Sequence, residues 1–275
     1  MITAHGSGNF IDPTKLSWKP NTDYSLFIDT SILGVPPPNS IFIQVEPNTV
    51  YANHWKIDSR NAIRTVHTQY SYILTFDEEL LRTLPNAIKY VYGTTWIKPD
   101  EYMRIQPSLK QYAISSITGK KQFGTGHTLR TSLYNKQMHF PIPHTAFRSS
   151  KGAPPIVRNN PTLGDSKLPL FEKFQFALVI ENSRQHNYFT EKLCDCLITK
   201  TIPVYYGCPN IDEYFDTRGW VILDSESADD ALIKMKRLTV SHYTNHISIV
   251  EANARRVLEY IDIHKNIDKA LLTIK

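Results

Sequence analysis

Residues 173–209 constrain the fold more than any other stretch. An apolar run over 174–180 gives way to a polar segment, Glu181-Asn182-Ser183-Arg184-Gln185-His186-Asn187. A helix-length segment follows over 190–200, then a second apolar run over 202–206 that stops at Gly207. Short apolar runs bounded by turn residues read as buried strands, and a helix between two of them argues for α/β architecture. The same alternation recurs, with strands expected over 24–28, 41–45, 72–76, 89–92, 111–117 and 220–223. Further helices are expected over 128–138, 228–237 and 250–263. Val35-Pro36-Pro37-Pro38-Asn39 reads as a stiff loop, and residues 149–169, rich in Pro, Asn and Gly, as a long one. A lobe boundary is expected near residue 108, dividing the chain into 1–108 and 109–275, with the last helix packing back on the first lobe.

Composition excludes several classes. At 275 residues, 41% hydrophobic and 21% charged, the chain has ordinary globular proportions. Its apolar runs are too short for a transmembrane helix. The start, Met1-Ile2-Thr3-Ala4-His5-Gly6, lacks the basic and apolar regions of a signal peptide. Three cysteines cannot pair completely and no Asn-x-Ser/Thr sequon occurs, which fits a reducing interior. Charge is uneven: residues 1–108 carry a net −1, whereas 110–200 hold 13 Lys and Arg against 5 Asp and Glu, a net +8. Such a concentration suits an anionic ligand, either nucleic acid or a nucleotide diphosphate, although a solvated basic surface gives the same count. No basic block or stripe with interleaved aromatics supports nucleic acid.

Ligands of α/β folds bind outside the carboxyl ends of the strands, so the residues just after each strand matter most. Thr190 suits a helix N-cap, with Glu191 and Lys192 in the first turn. A lysine there opposes the helix dipole, and a bound anion would remove that conflict. Glu191 could take two hydrogen bonds from vicinal sugar hydroxyls. Equally, Glu191 is dipole-favoured in any helix and Lys192 could simply face water. Gly119-Lys120-Lys121-Gln122-Phe123-Gly124-Thr125-Gly126-His127 reads as a glycine-containing loop leading to Arg130, whose guanidinium could grip a diphosphate or lie on the surface. Glu46 ends the strand that starts near Ile41 and is a candidate general base, or a solvated loop acid. Cys194 and Cys196 fall on different helix faces, and His242 and His246 lack an intervening Glu, so neither pair makes a metal site. No Asp-x-Asp occurs to bind a metal-chelated diphosphate.

Glu181-Asn182-Ser183, then Tyr188-Phe189-Thr190-Glu191-Lys192, then Ile202-Pro203-Val204-Tyr205-Tyr206-Gly207 resembles the donor-site signature of the α-1,3-fucosyltransferases, glycosyltransferase family 10. The resemblance implies a GT-B-type α/β fold, two Rossmann-like lobes with a cleft between them. It implies an inverting transfer of a sugar, most often fucose, from a GDP-sugar to a glycan hydroxyl, with no metal or cofactor required. Glu191 would hold the ribose and Lys192 the diphosphate, with Thr190 beside them and Asn182 and Tyr188 lining the nucleotide site. Family members place a diphosphate-binding Arg on an early donor-lobe helix, which suits Arg130. Their acceptor lobe has a strand ending in a catalytic Glu, matched in order by Glu46, and a later strand ending in Phe76-Asp77. The short acceptor lobe and the lack of the animal enzymes' anchor imply a soluble, cytoplasmic enzyme of bacterial or viral type. The alternative is a non-catalytic nucleotide-sugar-binding protein of the same fold. Nucleic acid and a membrane span are not expected as partners.

Overall fold

The computed structural model describes residues 2–6, 11–29, 35–149 and 160–274. Residues 150–159 of the long loop expected over 149–169 lie outside them. The chain divides into two compact units, the first comprising Met1–Gly93, Gln185–Tyr188 and Asp262–Lys275, the second Thr94–Arg184 and Phe189–Ile261.

In the first unit five strands pair in parallel in the order β1-β2-β3-β4-β5. They are β1 (Ile2–Gly6), β2 (Tyr24–Ile28), β3 (Ser40–Ile43), β4 (Tyr72–Thr75) and β5 (Ala87–Lys89). The two-residue period of a strand sends Ile41 and Ile43 to one face and Phe42 to the other. Ile41 and Ile43 pack with Leu26, Ile28, Leu74 and Phe76. Phe42 packs with Ile63, Tyr70, Ile73 and Leu80. Three short helices follow strand ends: α1 (Asn48–Val50), which runs into a π-turn over Tyr51–Trp55, α2 (Ser59–Val66) and α3 (Glu78–Thr83). Three acids, Asp29, Glu46 and Asp77, stand just beyond the carboxyl ends of β2, β3 and β4. Asp77 caps α3, accepting from the amides of Glu79 and Leu80.

In the second unit the elements are α4 (Pro99–Tyr102), β6 (Gln111–Thr118), α5 (Thr125–Asn135), β7 (His144–Ser149), β8 (Thr162–Leu163), β9 (Phe174–Ile180), α6 (Glu191–Ile198), β10 (Ile202–Tyr206), β11 (Val221–Ile222), α7 (Ala228–Met235), α8 (His242–Asn245) and α9 (Ile247–Arg256). All strand pairs are parallel and the order is β8-β7-β6-β9-β10-β11. Numbered from β6, that is 3-2-1-4-5-6, the doubly wound Rossmann order, whose switch point lies between β6 and β9. At the opposite, amino end, buried Lys110 donates to Phe171 O (2.7 Å), Phe174 O (3.2 Å) and Thr201 Oγ1 (2.8 Å), tying β6, β9 and β10 together.

The last helix, α10 (Ile263–Leu271), belongs to the first unit. Asp262 caps it, accepting from the amides of His264 and Lys265. Asp268 accepts from Ser17 N, Ser17 Oγ and Trp18 N, which holds the start of the chain to this helix. The helix expected over 250–263 instead ends at Arg256, gives way to a 3-10 turn over Val257–Glu259, and is followed by α10, which was not expected. Residues 94–108, read from the sequence with the first lobe, fall in the second unit. Thr95 Oγ1 and Trp96 N donate to Asp195 on α6, and Lys200 Nζ donates to Ile105 O. Among the described residues no helix is long and apolar enough to cross a membrane.

Candidate functional site

The switch point of the second sheet gathers five of the residues singled out from the sequence. Arg130 arrives on α5, after β6; Asn182 and Thr190 arrive on the segment that links β9 to α6, and Glu191 and Lys192 on the first turn of α6. Arg130 Nη2 donates to Asn182 Oδ1 at 2.8 Å, joining the two sides of the switch point. Gly126 makes this closeness possible. Its amide donates to Asn182 O at 3.2 Å, and a Cβ on it would overlap the Glu181 carbonyl oxygen.

Glu181, fully buried at the end of β9, organises the start of α6. Its Oε1 accepts from Thr190 N at 2.8 Å and its Oε2 from Thr190 Oγ1 at 2.7 Å. Gly207, just after β10, leaves room for this side chain, because a Cβ there would come within 2.7 Å of Glu181 Cγ. Thr190 is the N-cap of α6, as its position suggested, its hydroxyl accepting from Lys192 N. Lys192 Nζ lies 3.0 Å from Glu191 Oε1 and 3.5 Å from Glu181 Oε2, and donates to Thr190 Oγ1 at 3.0 Å. Burial pushes the Lys192 ammonium down, but the carboxylates of Glu191 and Glu181 overcome this and hold it above its ordinary range. Burial likewise pushes the Glu191 carboxyl up, and Lys192 reverses this to leave it below the carboxylate range. For Glu181 burial prevails and the carboxyl is raised. Lys192 is thus a charged group whose counter-ions are both carboxylates of the site itself.

His127, in the first turn of α5, was quoted with the glycine loop but not singled out. It is buried, its Nδ1 has no hydrogen-bond partner, and its ring meets Phe123 edge-on at 5.9 Å. Burial, followed by the charges of Arg130, Lys192 and Lys121, drives its pKa down to about 3. The ring is therefore neutral, at the start of a helix. That helix has no acid in its first turn and no side-chain cap. The only sequence signal for this was the pair Gly124 and Gly126, which left the segment reading as loop. The hydroxyl of buried Ser183, next to Asn182, is also without a hydrogen-bond partner. Chemically, this end of the sheet offers positive charge, backbone amides and a helix N-terminus to an anion, and Glu191 to hydroxyl donors.

Two other predicted residues lie in the first unit. Tyr188 is buried in its apolar core, its ring 5.1 Å from Phe76 and grouped with Ile263 and Ile267. Glu46 is partly exposed beyond β3, with its amide donating to Asp29 Oδ1 at 3.1 Å. Cys194, Cys196 and Cys208 are buried and in no disulfide. Among the described residues no cluster of three or more His, Cys, Asp or Glu is placed to hold a metal ion.

Two parallel α/β sheets, the second in Rossmann order, define a GT-B glycosyltransferase fold. Solved structures share it: an alpha1,3-fucosyltransferase with GDP-fucose superposes with a TM-score of 0.54 over 95% of this chain and 91% of that one, at 16% identity. Sucrose-phosphate synthase from Thermosynechococcus elongatus gives 0.60 over 91% and 73%, at 8% identity. Residues 157–271 match the model for the C-terminal part of glycosyltransferase family 10 (fucosyltransferase). GDP-fucose protein O-fucosyltransferase 3 from Xenopus laevis is 23% identical over 236 residues, 82% of this chain and 44% of its own length. Alpha-(1,3)-fucosyltransferase FucT from Helicobacter pylori is 30% identical over 107 residues, 38% of this chain and 22% of its own. The chain thus spans less than half the length of these curated relatives.

Proposed function

We propose that the protein transfers fucose from GDP-fucose to an acceptor hydroxyl with inversion at the anomeric carbon. The observation that carries the reading is the meeting of Arg130, Asn182, Thr190, Glu191 and Lys192 at the Rossmann switch point. Lys192 and Arg130 receive the diphosphate, and Glu191 receives the ribose hydroxyls. Binding of the diphosphate lets Lys192 share its charge with an anion instead of with Glu181 and Glu191 alone. Asn182 orients the Arg130 guanidinium through their hydrogen bond.

In the reaction the acceptor oxygen attacks the anomeric carbon from the face opposite the leaving group, and its proton passes to Glu46. The bond from that carbon to the β-phosphate oxygen breaks, and GDP leaves with the electron pair. Negative charge grows on the β-phosphate, where Lys192, Arg130 and the amides at the start of α6 neutralise it. Fixed donors of this kind are worth about 3 kcal/mol each in the transition state.

The acceptor is a glycan hydroxyl, or a hydroxyl of a protein side chain. The second has support from the protein O-fucosyltransferase relatives, one of which aligns with 82% of this chain. Incubation with GDP-fucose and candidate acceptors, read by GDP release and product mass, tests the reading. Thermal shift with GDP- and UDP-sugars accompanies it, since a ligand at a hundred times its Kd stabilises by about 2.7 kcal/mol. Selective stabilisation by GDP-fucose with no GDP release would identify a non-catalytic binding protein. If GDP-fucose neither stabilises the protein nor yields GDP, the proposal is overturned.

A further inference from the structure

Asp29 stands at the carboxyl end of β2, beside the end of β3 that leads to Glu46. It is 2% exposed. One oxygen, Oδ1, accepts three hydrogen bonds: from Val45 N at 2.8 Å, Glu46 N at 3.1 Å and the Tyr51 hydroxyl at 2.8 Å. The backbone of Asp29 has φ 48°, in the left-handed region. An L-residue other than Asn or Asp occupies that region at a clear cost.

Asparagine would meet every structural demand of this position. It tolerates positive φ and offers a carbonyl oxygen to the same three donors. It would also avoid burying an ionisable group, which is unfavourable without a cation beside it. The acid is therefore informative. Burial pushes the Asp29 carboxyl up to about 7, against the pull of its three hydrogen bonds, and the charge of Glu46 adds to the rise. The titratable groups facing it are Glu46 beyond β3, Tyr51 in the π-turn and Tyr90 after β5. Both tyrosines are raised by burial and stay protonated, so Glu46 is the group whose charge responds to that of Asp29.

We propose that Asp29 is a positioning residue for Glu46, holding its main chain at the strand end and, once ionised, making the Glu46 carboxylate a stronger base by like-charge repulsion. The proposal rests on the reading of Glu46 as the base that takes the acceptor proton. No proton is transferred to Asp29 in the reaction; its ionisation is an equilibrium with solvent.

The test is Asp29→Asn, assayed by GDP release from GDP-fucose with water as acceptor between pH 5 and 9. At pH 5 wild-type Asp29 is uncharged and the two proteins turn over equally. By pH 8 wild type is faster by roughly tenfold, the scale expected when a general base is weakened. KM for GDP-fucose is unchanged throughout. A purely structural role would lower the rate by one factor at every pH, and a pH-independent ratio overturns the proposal. If the variant does not fold, a carbon-13 carboxyl titration of wild type decides. The Glu46 signal shifts between pH 6 and 8 as Asp29 ionises, and a Glu46 signal unmoved in that window overturns the coupling. Wild type that binds GDP-fucose but never releases GDP would defeat the catalytic reading of Glu46 and this proposal together. An active wild type matched by Asp29→Asn at all pH values defeats this proposal alone.

Discussion

Glu181 holds Thr190 with both carboxylate oxygens, taking its amide at 2.8 Å and its hydroxyl at 2.7 Å. The pair fixes where α6 begins and so where Lys192 stands. Glu181→Ala leaves two buried donors of Thr190 without acceptors, which costs about 1–3 kcal/mol each way such a group is orphaned. Urea unfolding should register a loss of that order, and calorimetry should show weaker GDP binding through the loss of the Thr190 anchor that places Lys192. Unchanged GDP affinity in a folded Glu181→Ala protein would contradict the link from Glu181 to Lys192.

Lys192 and Arg130 carry the charge expected to receive the diphosphate. Lys192→Ala and Arg130→Ala should each lower kcat/KM by about a hundredfold or more, the scale of about 3 kcal/mol for one transition-state donor. Both variants should also bind GDP more weakly. Glu46→Gln should differ, sparing GDP binding while kcat falls. Steady-state GDP release together with calorimetry separates the two patterns, and a Glu46→Gln protein of full rate would exclude Glu46 as the base.

Gly126 is where α5 lies against the end of β9. In Gly126→Ala the new methyl would overlap the Glu181 carbonyl oxygen, a backbone atom that cannot swing aside. Overpacking of this kind costs about 1–3 kcal/mol. It should also move Arg130 away from Asn182 and weaken GDP binding. Gly164→Ala is the control, since a Cβ there meets nothing within 4 Å. Equal thermal midpoints for the two variants would show that α5 can shift without consequence.

Much of the second sheet was legible because β9 and β10 are largely buried and read as mostly apolar runs. β9 and β10 have the bounds expected, and β2 in the first unit does too. The strands that escaped notice lack that signal. β1 is largely exposed, β7 mixes His144, Thr145, Arg148 and Ser149 with two apolar residues, and β8 is two residues long. α5 begins at Thr125, three residues before the start expected, because Gly126 reads as a helix breaker when its contact with Glu181 is not visible. α10 was missed because the helix expected over 250–263 ran past the end of α9 to the start of α10; the N-cap at Asp262 was the signal that a new helix begins there. Residues 94–108 were misassigned to the first unit because their tie to the second, through Asp195, spans about a hundred positions and leaves no local trace. Of the site, the residue types at the end of β9 were legible. The neutral ring of His127 was not, since it depends first on burial in the folded chain and then on the charges of Arg130, Lys192 and Lys121, the second of which comes from a distant segment.

Asp195 gives the fold a pH dependence of definite sign. It is buried on α6, and its Oδ1 accepts from Thr95 Oγ1 at 2.6 Å and Trp96 N at 3.0 Å. Burial raises its carboxyl from 3.8 to about 7, against the pull of those two hydrogen bonds. In that window the folded chain keeps a proton that the unfolded chain has released. The stabilisation is therefore complete below about pH 4 and is lost as pH rises through 7. Asp195→Asn keeps an oxygen for both donors and cannot ionise. It should match wild type in urea unfolding at pH 4 and exceed it at pH 8 by on the order of a few kcal/mol. Asp29 is raised to about 7 in the first unit by the same cause, so wild type keeps part of its slope when Asp195 is replaced. An Asp195→Asn protein less stable than wild type at pH 8 would mean that the carboxylate, not its neutral form, is what residues 95 and 96 require.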